Sequence, residues 1–487
     1  MGRLKHQTAT ANRTLQHNGK LNTLVGGAVR RSYRYDQAGN LIQTADQRSG
    51  VLDYVYDKLG RIESAVNKQT GSSEKFAFDP AHNILSDKVS DGLKDTKGLS
   101  EHLSDRHHIS RTKGRNIGKG NRLEAYNGTE YTYDALGNMI YRQLPNGESQ
   151  LFQYDSENQL VLAEIKKPKG NTEIWEYAYD PFGRRLSKER KDKLAWISTA
   201  PKRTHFVWDG TRLLQEYSYK GSYTYIYTDQ DSYEPLAQVF DNHKDRQQYL
   251  FYFHNNQIGT PHEMTDIHGN LLWYGSYSAW GSLVSEKRIY ENVHQPFRLQ
   301  NQYFDAETGL HYNYFRYYEA DTGRFMNQDP IGLVGGDNLY LFAFNGQIWV
   351  DPLGLKCTRL VKEADGTTTL EIKNKFKPGS YESRQLQRFV RLWNQQIAAA
   401  GGSMTKRGTL TPVQQRLSDA WTRLMRRRFP GRFRGKVVGH TPDATMGGLV
   451  ANGRATALST QVNSYLGGVA RGVPNGTVYH SVRLARW

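Results

Sequence analysis

One alternation of aromatic and polar positions recurs along this chain: aromatic, variable, aromatic, aspartate, then a turn bearing Gly or Asn, then an aliphatic pair. It reads YRYDQAGNLI from Tyr33, YVYDKLGRIE from Tyr54, FAFDPAHNIL from Phe76, YTYDALGNMI from Tyr131, FQYDSENQLV from Phe152, YAYDPFGRRL from Tyr177 and FVWDGTRLLQ from Phe206. Residues two apart share a face of a pleated strand, so the paired aromatics mark a buried face. Asp followed by Gly or Asn supplies a turn, and each unit is predicted to be a β-hairpin. One hairpin cannot bury its apolar face, whereas stacked copies can, which predicts a long, spiralling antiparallel sheet. The repeat aspartates are Asp36, Asp57, Asp79, Asp134, Asp155, Asp180 and Asp209, mostly 21 to 29 residues apart. The wider gap after Asp79 holds a polar insert at about residues 88–119, which reads as a surface loop. Its His107 and His108 lack partners at metal-ligand spacing, and its HLSD phrase, His102 to Asp105, is assigned no function.

From Lys356 the period lengthens to that of a helix. Ser380 is predicted to cap a helix whose Leu386, Phe389, Val390, Trp393 and Ile397 share one face, with Gly401 and Gly402 ending it. Thr411 and Pro412 are predicted to start a second, with Val413, Leu417, Trp421 and Leu424 facing inward. That helix runs into RRRFPGRFRGK, in which Phe429 and Phe433 interleave Arg426, Arg427, Arg428, Arg432, Arg434 and Lys436.

Charge sharpens the division. The chain has 487 residues, too many for a single core, and a formal net charge of +17. Residues 356–487 hold 23 Lys and Arg against 6 Asp and Glu, while the remainder is balanced at 42 against 42. A neutral body with a basic end predicts a tail module that meets a polyanion, and the basic cluster is the candidate phosphate-tracking surface; the alternative is that its cations serve the helix C-terminus. The single cysteine, Cys357, excludes an intrachain disulfide and fits synthesis in a reducing cytoplasm. No signal-peptide core and no run of about 18 apolar residues is found, so a soluble chain exported by another route is expected.

The aromatic-aspartate units resemble the tyrosine-aspartate (YD) repeats of the Rhs family. The later stretch FRLQNQYFDAETGLHYNYFRYYEADTGRFMNQDPIGLVGGDNLYLFAFNGQIWVDPLGL is similar to the Rhs-associated core that ends the shell of bacterial polymorphic toxins and insecticidal toxin-complex proteins. The resemblance covers about Arg31 to Leu355. It implies a partial YD-repeat β-shell over residues 1–290, the Rhs-associated core with a self-cleavage motif over 291–355, and a C-terminal toxin over 356–487. Two near copies of one phrase, DPIGL from Asp329 and DPLGL from Asp351, lie in the core. From the residues alone these are either Asp-Pro turn starters or a carboxylate pair sharing a proton, one member activating water and the other polarising a carbonyl. Rhs-family cores cut themselves just after the terminal DPxGL with these aspartates, so the resemblance implies a cut between Leu355 and Lys356. Gly346 stands where the family commonly has Pro after Asn.

After the basic cluster comes GHTPDATMGG, with His440 and Asp443 three apart. Thr441 and Pro442 look like a helix start, which would put the pair on one face of a first turn. Such a pair either ligates a divalent cation or acts as a general base with an orienting or metal-holding carboxylate. With VNSYLGGVARG from Val462, the module resembles the HxxD nuclease toxins, a mostly α-helical family that includes type VI DNase effectors. That resemblance implies catalytic roles for His440 and Asp443, secondary candidates at Asn463 and Arg471, and a divalent metal, Mg2+, held at Asp443 and His440. The expected architecture is multidomain, an all-β repeat sheet followed by a small, mostly α-helical toxin domain. The expected function is an antibacterial polymorphic toxin, contact-dependent or type VI secreted, whose released tail hydrolyses DNA in the target-cell cytoplasm. An RNase at the same site is the nearest alternative. Another warhead or a non-enzymatic adhesin stands further off, and the deaminase signature H-x-E with P-C-x-x-C is absent. Expected partners are DNA or RNA, an acidic immunity protein and a secretion carrier or chaperone.

Overall fold

The computed structural model describes residues 4–9, 15–17, 20–22, 27–36, 40–90, 116–229, 232–290, 293–332, 337–354, 358–363, 367–372, 376, 379–407, 410–450, 454–471, 473 and 477–484. Most of the polar insert, with its histidines, and the predicted cut residues Leu355 and Lys356 lie outside the described residues. The chain divides into two compact units, Leu4–Asp329 with Asn338–Gly354, and Leu355–Trp487 with Met1–Arg3 and Pro330–Asp337. Among the described residues no helix is long and apolar enough to cross a membrane.

The first unit is built from antiparallel sheets whose strands pair almost wholly in sequence order. A seven-stranded sheet runs from His6–Ala9 to Ile84–Ser90, and a sixteen-stranded sheet from Asn116–Ile117 to Leu283–Arg288. The repeat explains this order. In each unit the first aromatic is buried: Tyr33, Tyr54, Phe76, Tyr131, Phe152, Tyr177 and Phe206 are all 9% exposed or less. The pairing register then slips at the second aromatic, as between Arg34 and Tyr35, Thr132 and Tyr133, and Ala178 and Tyr179. This bulge bends the strand into its turn. The aspartate next closes the turn on itself. Asp134 accepts from Asn138 N at 2.7 Å through Oδ1 and from Asn138 Nδ2 at 3.0 Å through Oδ2, and Asp36 does the same with Asn40 at 2.7 and 2.9 Å. The turn needs a left-handed residue three after the Asp, which Gly137 (φ +85°) and Asn158 (φ +59°) supply.

Successive units are tied through the second tyrosine. Tyr56 Oη donates to Leu41 O at 2.5 Å, Tyr154 Oη to Met139 O at 2.7 Å and Tyr179 Oη to Leu160 O at 2.8 Å. Each hydroxyl thus reaches the aliphatic position of the preceding unit, a hydrogen bond that phenylalanine could not make.

A four-stranded sheet, Tyr303–Asp305, Leu310–Asn313, Arg316–Glu319 and Arg324–Phe325, packs against the aromatics of the sixteen-stranded sheet. Between them lies a buried ion cluster. Arg185 Nη2 donates to Asp305 Oδ1 at 3.0 Å, and Lys188 Nζ to Asp305 Oδ1 at 3.0 Å and Glu307 Oε2 at 2.9 Å. Burial would raise the Asp305 carboxyl, but Arg185 and Lys188 hold it below its ordinary value.

In the second unit helix α1 (Tyr381–Ala399) is capped by Ser380, whose Oγ accepts from Ser383 N at 3.1 Å. Helix α2 (Pro412–Arg428) opens with a reciprocal box, Thr411 N to Gln414 Oε1 at 2.9 Å and Gln414 N to Thr411 Oγ1 at 3.3 Å. The predicted face of α1 is buried, and it packs on Val462, Leu466 and Val469 of helix α4 (Thr460–Arg471) in one core cluster. The predicted face of α2 is not. Trp421 and Ser418 are buried, whereas Val413, Leu417 and Leu424 are 64%, 50% and 51% exposed. Helix α2 makes a narrow contact, through Trp421 packed with Phe433 of the four-residue helix α3 (Pro430–Phe433) and with Val438 and Ala455. The unit is also less helical than expected. Thr368–Ile372 lies between Thr358–Lys362 and, in parallel, Ser481–Leu484, while Met404–Thr405 pairs with Val478–Tyr479 and Val437–Thr441 with Arg454–Leu458. These strands are two to five residues long and pair across the sequence, so no repeat marks them.

Candidate functional site

The two DPxGL aspartates meet over one cation. Both phrases turn through a left-handed glycine, Gly332 (φ +57°) and Gly354 (φ +63°). The Asp329 N–H donates to Leu339 O at 2.9 Å, while Asp351 O accepts from Asn313 Nδ2 at 2.9 Å. Arg316 Nη2 lies 3.2 Å from Asp329 Oδ2 and 3.6 Å from Asp351 Oδ2. All three side chains are buried, at 1%, 6% and 8% exposure for Arg316, Asp329 and Asp351. The guanidinium also donates through Nη1 to Leu339 O at 3.0 Å and through Nε to Gly354 O, and it stacks 3.6 Å from the Phe325 ring centroid. A Cβ at Gly354 would stand 2.7 Å from Asn313 O, so only glycine fits. The arrangement adds a third member to the carboxylate pair, a guanidinium that stands against both. Arg316 was not singled out in the sequence, where it is one arginine of YFRYYE and carries no motif. Gly346, in the family's Pro position, is packed tightly: a Cβ there would stand 2.6 Å from Ala279 O.

The second candidate site is in the other unit. His440 sits on the strand Val437–Thr441, and Asp443 caps the short 3-10 turn Ala444–Met446. The predicted helical start at Thr441 and Pro442 is therefore corrected: Thr441 ends a strand, the Thr441–Pro442 peptide is cis, and Asp443 accepts from Thr445 N at 2.8 Å and Thr445 Oγ1 at 2.6 Å through Oδ1. The turn is tight, since a Cβ at Gly448 would stand 2.2 Å from Pro442 O. The His440 imidazole lies on Trp421, ring centroids 4.2 Å apart and tilted 31°. Its Nε2 faces Val450 O at 3.3 Å. A carbonyl can only accept, so that contact calls for the proton on Nε2 and leaves Nδ1 as the basic nitrogen. Burial pushes the His440 pKa below its ordinary value, against the opposing pull of the Val450 carbonyl and the Asp443 charge. The neutral, proton-accepting form is favoured.

Among the described residues no three or more His, Cys, Asp or Glu side chains converge as a metal cage. One carboxylate fits a different mode, in which Mg2+ is held by a side-chain oxygen, substrate phosphate and water. Asp443 Oδ2 is available for this; His440 is less suited, because its Nε2 faces a carbonyl and imidazole prefers softer metals. Asn463 stands beside the histidine strand, its Oδ1 3.5 Å from where a Cβ on Gly439 would be. Arg471 ends α4, and its side chain is outside the description. Of the basic cluster, Arg426, Arg427, Arg428, Arg432 and Arg434 are exposed and Lys436 half-buried. Arg432 Nη2 donates to Ala455 O at 2.8 Å, on the strand paired with that of His440.

Comparison with known proteins follows from this architecture. A family model described as RHS protein matches residues 250–287, which span the last four strands of the sixteen-stranded sheet. Over 344 residues, 68% of its length, the chain is 36% identical to double-stranded DNA deaminase toxin A of Burkholderia cenocepacia (strain H111), covering 22% of that protein.

The chain belongs to the RHS family.

A second RHS relative, the probable deoxyribonuclease RhsA of Dickeya dadantii (strain 3937), is 30% identical over 72% of this chain and 22% of its own length. Among solved structures, the TcdB2-TccC3-Cdc42 crystal structure is 16% identical over 67% of this chain and 17% of that chain, with a TM-score of 0.45. This RHS chain thus spans less than a quarter of either relative.

Proposed function

We propose that this RHS chain is a polymorphic toxin whose C-terminal unit is a nuclease hydrolysing DNA phosphodiester bonds. The observation that carries the reading is the His440–Asp443 pair beside an exposed arginine cluster, in a tail that holds the whole net charge of +17. The relatives' names cover both a deaminase and a deoxyribonuclease at similar coverage, so the choice of chemistry rests on this chain's own residues. A lone Cys357 cannot supply a zinc deaminase site, whereas a basic nitrogen, a carboxylate and a phosphate-gripping cluster suit hydrolysis. In this mechanism Arg426, Arg427, Arg428, Arg434 and Lys436 hold the backbone. His440 Nδ1 takes a proton from the attacking water, and Asp443 would hold a divalent cation, which supplies charge neutralisation at the phosphate. RNA at the same site is the second reading, because phosphate contacts do not distinguish the nucleic acids. Plasmid and tRNA digestion, with and without EDTA, decides between them.

The same reading includes self-cleavage between Leu355 and Lys356, with Asp329 and Asp351 as the carboxylate pair and Arg316 setting their charge. Its support is their convergence on one guanidinium and the bond from Arg316 Nε to the Gly354 carbonyl, one residue before the cut. Purified protein then runs as fragments of 355 and 132 residues, and Asp351→Asn runs as one band. Delivery into a target cell by a secretion carrier and neutralisation by an acidic immunity protein complete the proposal.

A further inference from the structure

We propose that Lys406 is a third catalytic group of the His440–Asp443 site, the cation that contacts a non-bridging oxygen of the scissile phosphodiester. The inference rests on the nuclease reading above. Lys406 follows the strand Met404–Thr405, and its N–H donates to Thr477 O at 2.8 Å. Of its two neighbours, Arg407 is bonded to the turn that Asp443 caps and Thr405 lies close against it. Arg407 N–H donates to Thr445 O at 2.7 Å and Arg407 Nη1 to Gly448 O at 2.9 Å. On the other side, Thr405 O lies 2.8 Å from where a Cβ on Gly447 would be. Lys406 is therefore locked against the catalytic turn from both flanks.

Its side chain is the anomaly. Lys406 is only 6% exposed, yet among the described residues no hydrogen bond or ion pair takes its ammonium. The opposite charge acting on it is Asp443, and the two form no direct pair. Burial pushes the ammonium's pKa down while Asp443 pulls it back up. The stem is buried while the ammonium is not among the fully enclosed polar atoms, so a partly desolvated cation reaches the surface beside Asp443, and an arriving anion offsets its desolvation. A phosphodiester oxygen is such an anion, and lysine binds phosphate as a point charge. In the attack, the water oxygen bonds to phosphorus as the bond to the leaving oxygen breaks. His440 Nδ1 takes the water's proton, the leaving oxygen takes one from solvent, and Lys406 neutralises the charge that grows on the non-bridging oxygens.

The test uses the full chain on supercoiled plasmid, comparing wild type, His440→Ala, Lys406→Met and Lys406→Arg, with a thermal melt of each. Lys406→Met is expected to lower kcat about 10²-fold while KM changes little, as loss of one transition-state donor does. Its melting point is expected to stay at or above that of wild type, because no hydrogen bond or ion pair of the ammonium is lost and the buried stem is kept. Lys406→Arg is expected to recover part of the lost rate. Full activity of Lys406→Met beside an inactive His440→Ala overturns the role of Lys406 and leaves the nuclease reading standing. Equal inactivity of both Lys406 variants with lowered melting points assigns the residue to folding and also overturns it. A wild type that cleaves neither plasmid nor RNA removes the underlying reading itself.

Discussion

Arg316→Met removes a guanidinium that contacts both DPxGL aspartates, and the structure sets the size of the effect. The variant takes from Asp329 and Asp351, 6% and 8% exposed, the guanidinium they share, and it also leaves Leu339 O and Gly354 O without its donors. Breaking a buried pair in this way costs about 3–5 kcal/mol, because the surviving charge stays buried. Removing a cation from beside a buried carboxylate disfavours its ionised form, so each proton bound in the folded variant restores part of the loss. The sign follows directly. Losing the cation makes the folded variant bind a carboxyl proton more readily than folded wild type, so the deficit is largest above neutral pH and shrinks as pH falls toward the ordinary aspartate value of about 4. Urea unfolding of wild type and variant at pH 7.5 and pH 5, followed by the near-ultraviolet signal of the tyrosine-rich sheets, measures it. A deficit under about 1 kcal/mol at pH 7.5, the size of an ordinary surface substitution, would refute the neutralising role; so would one that does not shrink at pH 5.

Other outcomes follow from the same geometry. Asp305→Asn takes the buried carboxylate from Arg185 and leaves Lys188 with Glu307 alone, and it is expected to lower the stability of the first unit by about 3–5 kcal/mol, read from chemical denaturation. Because burial holds the His440 pKa below 6.5, its neutral form persists below that pH. The acid limb of the kcat/KM profile is expected below pH 6.5, and a limb above it would contradict the assigned environment. Linkage has the same sign: the unfolded chain binds that proton more readily, so the His440 contribution to stability is lost as pH falls through 6.5 toward the lower folded value. Replacing Arg427 and Arg428 by Gln is expected to weaken DNA binding without regard to sequence and to reduce the slope of log K against log salt by about 2, measured by fluorescence anisotropy.

How far the chain could be read in advance depended on whether the determining contacts were local. The Asp-to-i+4 turns, the buried first aromatics and the caps at Ser380 and Thr411 are all set within a few residues, and their patterns announce them. The tyrosine bonds between units, such as Tyr154 Oη to Met139 O, join residues 15 apart and leave no trace in any one repeat. Arg316 was missed, and Trp421 was read only as a core residue of its helix, for a related reason. Each is an ordinary residue for its element until chain topology brings it against the aspartate pair or His440. The inward face given to α2 failed because periodicity shows an apolar stripe, not whether anything covers it; Val413, Leu417 and Leu424 are exposed while Trp421 alone of the four is buried. The His440–Asp443 phrase was legible as chemistry but not as geometry, since Thr441–Pro442 resembles a helix start and instead ends a strand.

The most direct measurement is cleavage of supercoiled plasmid by the purified chain beside its His440→Ala variant, with tRNA digested in parallel. The nuclease account predicts nicked and then linear plasmid with the wild type and unchanged supercoiled plasmid with His440→Ala, both proteins melting at the same temperature. Equal cleavage by the two proteins, or no cleavage of either nucleic acid by the wild type, would contradict it.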